Sequence, residues 1–197
     1  MRSMSNLVSG VRRRAIHLVK DRRGLAAVEF AFILPLMLVM FFGTVEFSSG
    51  VAIDRKVTIM ARTLSDLTSQ NTSVTDTQLT NFFAASTAIM SPYAPQPVLS
   101  TVSELYVDPN SLSARVQWSK GAGARTVGST VPIPTSLQVA GTYLIFSEIS
   151  YLYQPSVGYV MAPTGVNLAD VAYTRPRQSL CVFYPPAATT TTPCPTS

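Results

Sequence analysis

The chain has 197 residues, of which 47% are hydrophobic and only 13% charged, with a formal net charge of +5. A typical globular chain is about 25% charged, so this composition points to one ordinary domain joined to an apolar segment. The first 24 residues hold seven basic side chains and one acid, leaving the remainder at net −1, so the chain lacks the basic folded surface that a nucleic-acid binder needs.

The basic leader (Arg2, Arg12, Arg13, Arg14, Lys20, Arg22, Arg23) stops at Gly24, and an apolar run follows from Leu25 to Val45. Positive charge ahead of an apolar run is the arrangement that holds a leader on the cytoplasmic side of a membrane. Twenty-one helical residues span about 31 Å, close to one hydrocarbon thickness. A secretory signal peptide fits poorly, because its apolar stretch is about 7–15 residues long and its cleavage site follows that stretch. A plain transmembrane anchor is the simpler alternative, but it gains nothing from Glu29, a carboxylate set among apolar residues at a cost of a few kcal/mol. Pro35 removes a helix donor and crowds the carbonyl of Ala31, which predicts a kink or local unwinding.

Beyond the run, Ile53, Val57, Met60, Leu64 and Leu67 follow a 4,3,4,3 spacing, with Asp54, Arg55, Lys56, Arg62 and Asp66 on the other faces. One helix from Leu25 to about Ser69 is expected, its second part amphipathic and packed on its own domain. After the polar break Gln70–Ser73, Thr75 and Gln78 stand in capping-box spacing. They open a second helix carrying Leu79, Phe82, Phe83, Ser86, Ile89 and Met90. Ser91-Pro92 ends it, and Pro92, Pro95 and Pro97 form a stiff linker.

The rest reads as strands. Residues 98–107 and 112–119 flank the turn Asp108-Pro109-Asn110-Ser111 as a hairpin, with Leu112, Ala114, Val116 and Trp118 expected inward by alternation. Residues 126–131 offer a further strand, 142–153 a central one and 170–175 the last. Pro185 to Ser197 is rich in Pro and Thr and is read as disordered. Cys181 and Cys194 either close a small loop, stabilising by roughly 3 kcal/mol in an oxidising compartment, or remain two free thiols.

Catalytic chemistry finds little to use. The sole histidine, His17, is in the leader, which removes histidine-based catalysis and most transition-metal sites from the remainder. No phosphate loop or dinucleotide fingerprint occurs. Glu104, Asp108, Glu148 and Asp170 are read as solvated surface charges. No catalytic residue, metal site or cofactor is expected.

The segment Arg22-Arg23-Gly24-Leu25-Ala26-Ala27-Val28-Glu29-Phe30-Ala31, with Leu34-Pro35-Leu36 downstream and Glu46-Phe47 after the run, resembles the TadE-like minor pilins of the tight-adherence (Flp) pilus system, a branch of the type IV pilins and pseudopilins. Tyr173-Thr174-Arg175-Pro176-Arg177 adds a weaker match. The resemblance implies that a prepilin peptidase cuts between Gly24 and Leu25 and removes residues 1–24. It implies that Glu29, with Phe30 and Pro35 in the same assembly segment, pairs with the new amine of a neighbouring subunit. The partners it implies are the peptidase, the inner-membrane assembly platform and other major or minor pilins.

The expected fold is α+β, with a long N-terminal helix packed on an antiparallel sheet and a short second helix. The expected layout is a leader at 1–24, a membrane span at 25–46, an amphipathic continuation at 47–70, an extracytoplasmic domain at 71–184 and a tail at 185–197. The expected location is the bacterial inner membrane, as a single pass with its N-terminus cytoplasmic and its domain periplasmic, or the assembled pilus. A structural pilin is the first reading. A membrane scaffold that never enters the filament and an unrelated tethered binding or adhesion domain are the alternatives.

Overall fold

A computed structural model describes residues 23–93, 98–155, 164–186 and 194–196. The basic leader through Arg22, the linker prolines Pro95 and Pro97, and the tail residues 187–193 and Ser197 lie outside them. The chain divides into two units, Met1–Phe47 and Ser48–Ser197. Helix α1 (Arg23–Ser69) supplies the described part of the first unit and opens the second.

In the first unit every residue from Gly24 to Val45 is exposed. A helix satisfies its own backbone polar groups, which lets an apolar segment leave water. The Thr44 hydroxyl follows the same rule and donates to the Met40 carbonyl one turn back at 2.8 Å. The segment is long and apolar enough to cross a membrane by length and composition. Pro35 lies inside α1, and helical structure continues through it without the expected local unwinding.

The second unit is an α+β domain. The sheet order is β3-β2-β1-β4-β5, built from β1 (Val98–Val107), β2 (Ala114–Gly121), β3 (Thr130–Val131), β4 (Tyr143–Tyr153) and β5 (Val166–Thr174). All neighbouring pairs are antiparallel. A 3-10 turn at Thr135–Leu137 joins β3 to β4. The predicted stripe of α1 forms one side of the main core. Ile53, Val57, Met60, Ala61 and Leu64 are buried against Val102, Trp118, Ile145, Ile149 and Tyr151. Small side chains let helix and sheet approach closely: Ser147 Oγ donates to the Ala61 carbonyl at 2.6 Å, and Ser65 Oγ donates to Thr174 Oγ1 at 2.8 Å. Helix α2 (Asp76–Ala88) starts at the expected capping box, with both reciprocal bonds between Thr75 and Gln78 formed. It adds Leu79 to the same core.

A second cluster occupies the opposite sheet face, with Leu105, Val107, Ala114, Val116, Val131, Ile133, Leu144 and Phe146. This overturns the single inward row expected of β2. The register skips Gln117, since Glu104 pairs with Trp118 and Leu105 with Val116. This one-residue bulge inverts the alternation. Ala114 and Val116 therefore enter the far cluster while Trp118 joins the helix side. Leu112 also departs from expectation: it is 40% exposed with φ +54°. The Asp108 carboxylate accepts the N–H groups of Asn110 and Ser111, and the Asp108 N–H bonds the Ser113 carbonyl, so the turn extends to Ser113 before β2 begins.

After β5 the chain returns as a strap over the end of the helical layer. The Arg177 N–H caps the Ser69 carbonyl at 3.0 Å, and its guanidinium pairs with Asp66. A cation beside the last turn of a helix also meets the negative end of its dipole. The Phe183 N–H then donates to Thr72 and its carbonyl accepts from the Val74 N–H.

Candidate functional site

The sequence-predicted assembly residues share the first turns of α1. Leu25 and Glu29 are four apart and lie on one helix face. Gly24, Leu25, Glu29, Phe30 and Pro35 are all exposed. The Gly24–Leu25 bond lies at the start of the described part of α1. Among the described residues nothing requires glycine here. Gly24 has no left-handed φ, and a Cβ built on it meets no atom within 4 Å.

In the second unit the charged side chains pair in ways their spacing did not reveal. Arg125 binds Glu148 through two bonds of 2.7 and 2.6 Å. That pairing raises the Arg125 pKa. The Arg125 guanidinium also lies over the Phe146 ring, which stacks on Tyr173. Asp170 accepts a 2.5 Å bond from the Thr58 hydroxyl of α1. Asp108 has its pKa lowered by the Ser111 and Asn110 N–H groups. An open groove near Leu99, Thr101, Arg125, Glu148, Asn167 and Val171 holds this satisfied ion pair.

Glu104 departs furthest from its expected place. It is completely buried beneath the strap, not on the surface. Its Oε1 accepts the Val182 N–H at 2.5 Å, and its Oε2 finds no partner among the described residues. Burial pushes its pKa up to about 8, against the opposing pulls of the Val182 N–H and the Trp118 indole. Only the register could have exposed this, since Glu104 shares its helix-side face with the buried Val102. Nearby, Cys181 and Cys194 are joined by a disulfide with Cα atoms 5.9 Å apart. Tyr143 donates to the Pro195 carbonyl at 3.0 Å, and burial raises the pKa of that phenol to about 12. Among the described residues no three His, Cys, Asp or Glu side chains are grouped to hold a metal ion.

Residues 24–63 match the family model of the TadE-like proteins. The match covers the membrane-length part of α1 and the start of its packed stripe, and bears out the resemblance read from Gly24, Glu29 and the residues around them. No curated protein matches the chain. No solved structure matches it either.

Proposed function

We propose, from the premise that a TadE-like helix ties this chain to Tad pili, that the protein is a minor pilin or pseudopilin, anchored in the inner membrane and processed between Gly24 and Leu25. Cleavage removes the basic leader and leaves a free amine on Leu25. Glu29, one turn away on the same face, is then an acid in an apolar helix that needs a cation. The amine of a neighbouring copy supplies it, and two opposite charges in low dielectric favour that docking over unspecific helix contact.

The observation that supports this reading is a single carboxylate within the exposed apolar run 25–45, five residues past a glycine that no described residue requires. The domain beyond Ser48 fits a structural part, since its identified ion pairs stitch elements together. Shearing cells and fractionating them tests the proposal. The protein should be recovered with detached filaments. Recovery in the inner membrane alone would favour a fixed scaffold of the assembly machine, and normal piliation of cells lacking the protein would favour an unrelated tethered domain.

A further inference from the structure

The strap between Arg177 and Tyr184 closes over a buried acid. Its Val182 is gripped on both sides of one residue: the N–H by Glu104 Oε1 at 2.5 Å, and the carbonyl by the Trp118 indole N–H at 2.7 Å. Val182 and Cys181 are wholly buried, as is Glu104. Among the described residues no cation pairs with the Glu104 carboxyl. The titratable groups on the elements around Glu104 are Tyr106 on β1, Arg115 and Lys120 on β2, Tyr143, Glu148, Tyr151 and Tyr153 on β4, Asp54, Arg55, Lys56, Arg62 and Asp66 in the packed part of α1, Asp76 on α2, and Arg177 and Tyr184 on the strap. Lys120 faces Asp76 at 3.4 Å, Arg115 faces Asp108 at 3.9 Å, and Arg177 pairs with Asp66. An ionised Glu104 would therefore be a buried charge without a counter-ion, which costs far more than a buried neutral acid.

Relief is cheapest at the strap. The sheet beside Glu104 is held by antiparallel ladders on both sides, interrupted on the β2 side only by the bulge at Gln117, whereas the strap is held by separate bonds from Arg177, Phe183 and Tyr184, by the grip on Val182 and by the disulfide at Cys181. We propose that the strap is a proton-gated latch: with the Glu104 carboxyl protonated Val182 stays seated, and loss of that proton lifts the strap at Val182 and opens the Trp118 indole and the buried Cys181 sulfur to solvent, beyond the half-buried Cys194 to which it is joined. The closed form holds a proton that the open form releases, so opening becomes easier as pH rises from the ordinary carboxylate range toward about 8, and levels off above it.

The full chain in detergent provides the test. A phosphine reductant attacks the Cys181–Cys194 disulfide, and the rate at each pH is divided by that for an exposed small-molecule disulfide at the same pH. The normalised rate in the wild type should climb by up to about tenfold per pH unit between pH 5 and 8, the slope of one released proton. It should be flat in Glu104→Gln, while far-UV circular dichroism stays constant. Trp118, the only tryptophan in the chain, should show the same rise in quenching by acrylamide. A flat wild-type profile, an unchanged slope in Glu104→Gln, or reduction that occurs only with loss of helical signal would overturn the latch. If Glu104→Gln fails to fold, the wild-type profiles and the dichroism still decide.

Discussion

Removing Gln117 should leave the domain folded, and that follows from the bulge. Gln117 is the residue the β1–β2 register skips. Its deletion leaves Val116 and Trp118 adjacent in a regular ladder, with Val116 still on the far face and Trp118 still on the helix face. The deletion also removes the 3.1 Å bond from Gln117 Nε2 to the Arg115 carbonyl, and with no core side chain displaced the cost should be about 1–2 kcal/mol. Trp118→Ala keeps the register but empties the helix-side core and strips the Val182 carbonyl of its donor. It should cost about 3–5 kcal/mol for the cavity and roughly 1 more for the hydrogen bond. Urea unfolding followed by far-UV circular dichroism on detergent-solubilised protein separates the two. If the deletion proves as damaging as Trp118→Ala, the two-faced reading of β2 is wrong.

The remaining predictions concern the disulfide, the cap and the membrane acid. Cys194→Ala opens a loop with a sequence separation of 13, and should lower stability by about 3 kcal/mol relative to the oxidised chain. Thermal unfolding would show this as a fall of about 6–12 °C, and an unchanged midpoint would mean that the cross-link adds nothing. Thr75→Ala removes one half of the capping box and should cost about 1 kcal/mol, seen as a drop of about 2–4 °C in the same assay. Glu29→Ala should insert and be cleaved normally, yet weaken docking on the order of a hundredfold or more. Immunoblots of sheared filaments measure it, and undiminished incorporation would discard the pairing.

The long-range order of the fold was partly legible in the sequence and partly hidden, and the division has a physical basis. The stripe from Ile53 to Leu64, the Thr75–Gln78 cap and the Asp108–Ser111 turn depend on neighbours within a few residues, and each appears where its pattern put it. The position of Trp118 was missed because one skipped residue reverses a period-two pattern without changing composition. Glu104 was missed because nothing local distinguishes a strand acid in water from one covered by a segment 78 residues away. The Arg175-Pro176-Arg177 motif was visible, but its use was not. Arg177 caps the end of α1 and pairs with Asp66, 111 residues earlier in the chain. In the apolar helix, Gly24 and Glu29 stood out for the same local reason, as breaks in an otherwise uniform run.

The proposed cleavage after Gly24 is the step on which the proposed assembly turns, and the N-terminus of the protein extracted from its native membrane reports it directly. Intact mass spectrometry with N-terminal sequencing should find a chain that begins at Leu25 with a free amine, and a Gly24→Trp variant should keep its leader. A membrane-extracted protein that still begins at Met1, or normal maturation of Gly24→Trp, would contradict the account.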